Sequence, residues 1–282
     1  MSRKLSPIIN LAGDARSILQ EKGLRPKKHL GQNFLINNKV LTDIIDVAEL
    51  NPGDLVLEIG AGLGILTQAL IDKSCQVLAI EKDPDLFNIL KQRFDHINNV
   101  TILNQDVRCF LKENPDLSRY KIVANLPFYL TSHLIVSMIT LVHLPSTIII
   151  MIQKEVAERI CAKPPKSNRL AMMCQFRGDC QIIQNVSSSD FWPKPEVSAA
   201  ILKISNIEKH SFDQDLMNLI EIGFSSPRKT LLNNLKSLGI DSHFLSECGF
   251  NEKIRAEALD KNNWLKLLYC FLKKKNAIIK EK

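Results

Sequence analysis

Short apolar runs alternate with segments of helical periodicity through residue 206 of the chain. Runs rich in β-branched residues predict buried strands, and apolar residues that recur every three or four positions predict helices between them. Strands are predicted at 55–59, 76–80, 101–104, 120–124, 146–152, 181–186 and 199–205, the last two antiparallel. Helices are predicted at 14–22, 35–50, 63–73, 84–94, 131–140 and 155–161.

This alternation predicts an α/β fold with a Rossmann-like, doubly wound, mixed and mostly parallel sheet. After residue 206 the strand signals stop, and a small all-helical domain is predicted. Its helices are expected at 213–224, 227–237, 242–248 and 261–273.

The same patterns predict how the chain is divided. Residues 1–31 form a basic lead-in, residues 32–206 the α/β domain, and residues 207–282 the helical domain. The lysine-rich end, residues 273–282, is predicted to be a frayed tail.

A glycine-rich turn with Gly60, Gly62 and Gly64 follows the first strand of the predicted sheet. Glycines let a backbone turn tightly and approach a ligand closely, although such a turn can also join strand and helix without any ligand. Glu81 ends the second strand, where a carboxylate can accept hydrogen bonds from both ribose hydroxyls. Ile65 stands where a dinucleotide-binding sequence has a small residue. The combination predicts a nucleoside cofactor without phosphates.

The segment Asn125-Leu-Pro-Phe128 directly follows the fourth strand and is the most specific local signal. The exocyclic amine of adenine is a weak nucleophile, because its lone pair is delocalised into the ring. The Asn125 side-chain oxygen and the Leu126 carbonyl can accept its hydrogens, and Pro127 removes a competing donor. Phe128 offers a face for base stacking, worth ~1–3 kcal/mol. The alternative is a turn that closes the strand, with Phe128 in the core.

Other polar residues allow two interpretations. Asp106 ends the third strand and can accept a hydrogen bond from an adenine amino group, or it can cap the following helix. The net charge of +7 fits a polyanionic partner or an ordinary basic surface. Lys27, Lys28, Arg228 and Lys229 are therefore candidate phosphate contacts, although a scattered cation is usually solvated surface.

Several classes of protein are disfavoured by what the sequence lacks. The seven cysteines contain no Cys-x-x-Cys pair, so free thiols in a reducing cytosol are expected rather than a metal site or a disulfide framework. No apolar run approaches the ~20 residues of a membrane span, and the first ten residues lack a signal-peptide core. A cytoplasmic monomer is expected.

Five motifs occur in a fixed order and together closely resemble the ribosomal RNA adenine dimethyltransferase family, especially its small-subunit branch. The resemblance extends from about Arg25 to beyond Ala258. The sequence departs from the family at the fourth position of the Asn125–Phe128 motif, where Phe128 replaces a usual tyrosine. The motifs are Lys28–Leu35, Glu58–Thr67, Asn125–Phe128, Met151–Ile160 and Phe191–Val197.

The resemblance implies a class I methyltransferase domain that uses S-adenosylmethionine. It implies a substrate of two adjacent adenines in a hairpin loop near the 3′ end of 16S rRNA, each dimethylated in the immature small subunit during ribosome biogenesis. The helical domain is expected to engage rRNA in the particle. Cofactor residues are expected to be Asn33, Leu35, Gly60, Gly62, Glu81, Lys82, Asp106, Val107 and Asn125. The target pocket is expected to comprise Asn125, Leu126, Pro127 and Phe128, with Phe191 stacking on the opposite face of the flipped base.

Three other functions remain open on the sequence. A large-subunit rRNA dimethyltransferase of the antibiotic-resistance type shares the chemistry. An RNA-binding assembly factor could keep the fold without needing catalysis, although Glu81, Asp106 and Asn125 are intact. A nucleotide-dependent oxidoreductase is disfavoured by Ile65 and by the Asn125–Phe128 motif.

Overall fold

The computed structural model describes residues 11–113, 115–207 and 214–280. The chain forms two compact units, one of Met1–Ala157 with Cys180–Ile207 and the other of Glu158–Asp179 with Glu208–Lys282. The domain division predicted from the sequence differs from these units over Glu158–Asp179.

The first unit is built on a seven-stranded sheet in the order β4-β3-β2-β5-β6-β9-β7, with a separate two-stranded sheet of β1 and β8. The pairs β2–β3, β3–β4, β2–β5 and β5–β6 are parallel, whereas β6–β9 is antiparallel. The predicted mixed, mostly parallel α/β fold is therefore confirmed. The strands are β1 (Phe34–Leu35), β2 (Leu55–Ile59), β3 (Gln76–Glu81), β4 (Val100–Asn104), β5 (Tyr120–Asn125), β6 (Thr147–Gln153), β7 (Asp179–Val186), β8 (Phe191–Trp192) and β9 (Ala199–Ser205).

Apolar patterning explains the centre of this sheet. In β6 every residue of 148–152 is buried, as expected for a strand whose two faces are both covered. The helices that belong to this unit or begin in it are α1 (Leu11–Glu21), α2 (Asn38–Val47), α3 (Ile65–Asp72), α4 (Pro84–Phe94), α5 (Val107–Lys112), α6 (Thr131–Ile139) and α7 (Lys154–Ile160).

Two helix predictions need correction in this unit. The helix predicted from Leu35 begins at Asn38, because Phe34 and Leu35 pair with β8 and the Asn37 side chain caps α2. The short helix α5 was considered only as the segment that Asp106 could cap and was not predicted from periodicity, since six residues are too few to establish a helical period.

The second unit is helical and surrounds Trp264, which is fully buried. Met172 and Phe176 of the helix Arg169–Arg177 belong to this core, which explains why that unpredicted helix lies in this unit. Its helices are α8 (Arg169–Arg177), α9 (Gln214–Gly223), α10 (Leu231–Leu235), α11 (Ser242–Glu247) and α12 (Lys261–Lys280).

The boundaries of two helices in this unit also differ from the predictions. The helix predicted from Pro227 begins at Leu231, where the Thr230 side chain caps it. The predicted frayed tail is helical through Lys280, and Lys274 and Lys275 bond to Gly239 and Asp215. Residues 281–282, like residues 1–10 of the lead-in, lie outside the described part of the chain.

None of the helices in the described ranges is long and apolar enough to cross a membrane. None of the seven cysteines, all of which lie in the described ranges, forms a disulfide bond.

Candidate active site

A pocket opens at the carboxyl ends of β2, β3 and β5, and the segment around β1 forms one of its walls. This is the edge at which open α/β sheets bind ligands. The sequence-predicted residues that line it are Asn33, Leu35, Gly60, Gly62, Glu81, Lys82, Val107, Asn125, Leu126, Pro127 and Phe128.

The glycine turn brings backbone amides toward the pocket. Gly60, Gly62 and Gly64 have φ values of 73°, 61° and 78°, in the left-handed region that favours glycine. A Cβ at Gly64 would lie 2.4 Å from a ring carbon of Phe94, so glycine is also needed for close packing there. The turn thus requires glycine for its left-handed backbone, and at Gly64 it also requires glycine because Phe94 of α4 packs against that position.

Glu81 is a buried carboxylate that joins the turn to the end of β3. Its Oε2 accepts the Gly62 N–H at 2.8 Å, and its Oε1 accepts the Asp83 N–H at 2.8 Å. Burial raises the pKa of Glu81, although these two hydrogen bonds oppose the shift. Each oxygen retains a lone pair, so the carboxylate can accept two hydroxyl hydrogens of a ribose.

Asp106 is held by groups of its own chain. Its side chain caps α5 at the Arg108 N–H, and it pairs with the Arg108 guanidinium at 2.6 Å and with Lys82 Nζ at 3.0 Å. The Arg108 hydrogen bonds hold the pKa of Asp106 well below its usual range. Its neighbours Gln105 and Val107 line the pocket, whereas Asp106 is not among the described lining residues. The capping role considered from the sequence is present.

Asn125 ends β5, and its side chain is oriented by a hydrogen bond to the segment around β1. The Nδ2 of Asn125 donates to the Asn33 carbonyl at 3.3 Å. No described residue donates to the Oδ1, which is therefore available as an acceptor at the pocket. The next N–H, of Leu126, donates to the Met151 carbonyl at 3.1 Å, and Pro127 has no N–H.

The two aromatic residues predicted to clamp a base do not form a clamp in this structure. The rings of Phe128 and Phe191 have centroids 6.3 Å apart and an interplanar angle of 72°. A base between parallel rings needs about 7 Å, twice a van der Waals contact of ~3.5 Å. Phe191 is 2% exposed, pairs with Leu35, and is absent from the described pocket lining. Binding a base between them requires the rings to turn.

Lys27 takes part in a cluster that sequence reasoning missed. Its Nζ bonds to Asp83 at 2.7 Å and to Asp85 at 2.8 Å, and Gln32 Nε2 bonds to the other Asp83 oxygen at 2.6 Å. The Asp83 hydrogen bond is the main cause that raises the pKa of Lys27. Lys27 therefore ties the segment before β1 to the loop after Glu81, which makes it unsuited to the predicted phosphate contact.

Lys28 is exposed, and no described residue pairs with it. Replacing Lys28 by alanine should lower the slope of log affinity against log salt for rRNA by about 0.9, the value of one phosphate contact. Lys27→Ala removes one positive charge from the preceding residue. This variant should leave the slope unchanged, because Asp83 and Asp85 already hold the Lys27 ammonium, and it should weaken cofactor binding. Salt titrations of rRNA binding by the two variants measure the difference, and equal slopes for both would contradict the assignment.

Glu58 is a second buried carboxyl in the pocket lining, and it was not singled out from the sequence. It is 1% exposed, and Thr67 Oγ1 donates to its Oε2 at 2.6 Å. Burial raises the pKa of Glu58 to about 8. Its place in β2, within an apolar run, was the only signal of burial in the sequence.

The stability of the protein should therefore depend on Glu58 in a defined direction. Because the folded-state pKa of about 8 exceeds the ordinary value of 4.5, the folded chain keeps a proton that the unfolded chain loses in this window. The contribution of Glu58 to the free energy of unfolding is therefore fully present below about pH 4.5. It is lost as the pH rises toward 8, by up to about 1.4 kcal/mol per pH unit. Glu58→Gln should flatten this slope in urea unfolding; parallel curves for the two proteins would contradict it.

Arg228 and Lys229 lie in the second unit, in the loop between α9 and α10. Both are exposed, and neither side chain pairs with a described residue. Their cationic groups are therefore free to contact phosphates.

The pocket suits a cationic nucleoside better than a phosphate-bearing one. It contains the carboxyls of Glu58 and Glu81, and its single cationic lining residue in the described chain, Lys82, is paired with Asp106. A diphosphate would face the Glu81 carboxylate without a free cation, whereas a ribose matches the Glu81 acceptors and a sulfonium matches the Glu81 charge. These residues fit S-adenosylmethionine.

The sheet order and the glycine turn after the first parallel strand are those of a Rossmann-like, class I methyltransferase. The family described as "Ribosomal RNA adenine dimethylase" matches residues 23–273. The chain is 36% identical to "Ribosomal RNA small subunit methyltransferase A" of Dehalococcoides mccartyi, over 92% of each chain. It is 37% identical to the protein of that name in Clostridium botulinum, over 91% of this chain and 98% of the relative.

Solved structures agree with these sequence comparisons. A dimethyladenosine transferase from Plasmodium falciparum is 28% identical and covers 86% of this chain and 98% of its own, with a TM-score of 0.72. The chain belongs to the ribosomal RNA adenine dimethylase family. It is an S-adenosylmethionine-dependent methyltransferase that acts on ribosomal RNA, which confirms the family, reaction and cofactor expected from the sequence.

Proposed function

We propose that this chain dimethylates the N6 amines of two adjacent adenines in a hairpin loop near the 3′ end of 16S rRNA. The proposed substrate is the immature small ribosomal subunit, and the names of the relatives that match over nearly their whole lengths support it. The step belongs to ribosome biogenesis, takes place in the cytoplasm, and is carried out by a monomer.

The observation that carries the catalytic proposal is the orientation of Asn125. Its Nδ2 is committed to the Asn33 carbonyl, so its Oδ1 is left to accept a hydrogen of the adenine amine. The Leu126 carbonyl accepts the other hydrogen, because Pro127 supplies no competing N–H. Two acceptors draw the amine toward tetrahedral geometry and localise its lone pair, which is catalysis by positioning.

Each group of the pocket has one task in this scheme. S-adenosylmethionine, when bound, supplies an electrophilic methyl group on a sulfonium. Glu81 holds its ribose, Gly60, Gly62, Asn33 and Leu35 enclose it, and Val107 contacts its adenine. Arg108 and Lys82 already make four bonds to the two oxygens of Asp106. One of these bonds must therefore be released before Asp106 accepts a hydrogen bond from the amine of the cofactor's adenine.

The target base completes the pocket. Phe128 turns to stack on one face of the base, and Phe191 supplies the other face once the edge-on contact of the two rings is released. In each transfer the amine nitrogen would bond the methyl carbon as the carbon–sulfur bond breaks, the thioether product would leave, and one amine proton would pass to solvent. After the first transfer one amine hydrogen remains, so one of the two acceptors serves the second transfer once fresh cofactor has bound.

Outside the pocket, Lys28, Arg228 and Lys229 hold rRNA phosphates, and the helical unit thereby helps to engage the particle. Lys27 is excluded from this set because its ammonium is held by Asp83 and Asp85.

Methyl transfer from labelled S-adenosylmethionine to undermethylated small subunits, large subunits and free rRNA tests the substrate. Label in small-subunit RNA is expected. Label in large-subunit RNA would move the chain to the antibiotic-resistance branch, and rRNA binding without transfer would support an assembly factor. A thermal shift with NAD instead of S-adenosylmethionine would support an oxidoreductase.

A further inference from the structure

The helical unit contains a buried asparagine whose side chain bridges the loop after α9. Asn234, on α10, is 8% exposed. Its Nδ2 donates to the Gly223 carbonyl at 2.6 Å and to the Ser226 carbonyl at 3.2 Å. One amide group therefore joins the last residue of α9 to the middle of the loop that leads to α10.

Both ends of this loop are fixed by other contacts. A Cβ at Gly223 would lie 2.5 Å from a ring carbon of Trp264, so the end of α9 is closely packed against the core. At the other end the Thr230 side chain caps α10, and the Leu231 N–H donates to the Ile254 carbonyl at 2.8 Å. The segment between these anchors is held by the bond from Asn234 to Ser226 and, at its start, by the Phe224 ring, whose centroid lies 5.7 Å from that of Trp264.

The two exposed cations follow directly after this fixed point. The Lys229 N–H donates to the Ser226 carbonyl at 3.0 Å, so the carbonyl that receives Asn234 also shapes the turn under Arg228 and Lys229. Neither cation pairs with a described carboxylate. The backbone conformation at Ser226 therefore decides where both charges are presented.

We propose that Asn234 is a positioning residue for rRNA binding, which holds residues 224–230 in the conformation that presents Arg228 and Lys229 to neighbouring phosphates. The inference rests on the proposed role of these two cations. A loop that is ordered before binding loses less conformational freedom when rRNA binds, so the preformed turn raises affinity without touching the RNA.

The neighbouring residue offers a matched control. Asn233 is exposed, and no described residue bonds to its side chain. Asn234→Asp places a carboxylate against two carbonyls, whereas Asn233→Asp adds the same charge one position away without breaking these bonds. Asn234→Ala removes the donor without adding charge, and thermal melting with S-adenosylmethionine binding reports whether each variant is folded.

The experiment measures the binding of the full chain to undermethylated small subunits over a series of salt concentrations. Asn234→Ala and Asn234→Asp are expected to weaken binding about 5- to 30-fold, with a shallower salt slope and an unchanged kcat at saturating subunits. Asn233→Asp is expected to stay within about twofold of the wild type. Adding Arg228→Ala and Lys229→Ala to Asn234→Ala should cause little further loss, because residues that act as one unit are not additive.

Two results would overturn the inference in different ways. If the double variant at Arg228 and Lys229 weakens binding while Asn234→Ala does not, or if their effects add, Asn234 does not act through these cations. If the double variant itself binds subunits like the wild type, the proposed role of the cations fails, and the inference fails with it.

Discussion

Asn125→Ala should lower the rate of methyl transfer about 10²- to 10³-fold, the usual effect of removing one preorganised polar group from a transition state. The reason is the loss of the Oδ1 acceptor, which leaves the adenine amine with the Leu126 carbonyl alone. Single-turnover transfer to undermethylated small subunits at saturating S-adenosylmethionine measures the rate.

Asn125→Asp separates the two functions of this side chain. It keeps an acceptor for the amine but loses the donor that bonds to the Asn33 carbonyl. A rate between those of the wild type and Asn125→Ala is expected. If the Asn125→Ala variant and the wild type transfer methyl groups at equal rates, Asn125 is not the acceptor, and the catalytic proposal is wrong.

The second large effect is expected at Glu81, in cofactor affinity. Glu81→Gln replaces one carboxylate oxygen by an NH₂ group, which then faces the N–H of Gly62 or Asp83. Hydrogen bonds to a charged group are worth about 1.5–3 kcal/mol, so the loss of one such bond and of a ribose contact predicts a rise in the Kd of roughly 10²-fold.

Titration calorimetry with S-adenosylmethionine measures this Kd directly. The kcat of Glu81→Gln at saturating cofactor should remain within a few-fold of the wild type, because Glu81 does not contact the target amine in this scheme. A Kd within threefold of the wild type would show that the carboxylate does not hold the cofactor.

The sequence predicted the sheet and its order of elements closely, because the signals are local. The bounds of β2 and α4 agree with the predictions, since a short apolar run defines the strand and Asp83-Pro84 marks the start of the helix. The helices α5 and α8 were missed, because one is too short for a period and the other follows a loop without a clear start signal.

The candidate site was predictable where strand ends determine it. Glu81 and Asn125 follow strands of the same parallel sheet, so their meeting at one pocket follows from the fold. The Lys27–Asp83 pair joins residues far apart in the chain, and no local pattern predicts it. The Asp106–Lys82 pair, in contrast, joins the ends of the neighbouring strands β3 and β4, so it follows from the fold as the meeting of Glu81 and Asn125 does.

Dimethylation by this chain is tested by mass spectrometry of nucleosides from undermethylated small subunits incubated with S-adenosylmethionine and either the wild-type chain or Asn125→Ala. We expect N6,N6-dimethyladenosine at two adjacent adenines of 16S rRNA with the wild type, and its near absence with the variant. Bound subunits that gain no dimethyladenosine with the wild type, or equal gain with both proteins, would contradict it.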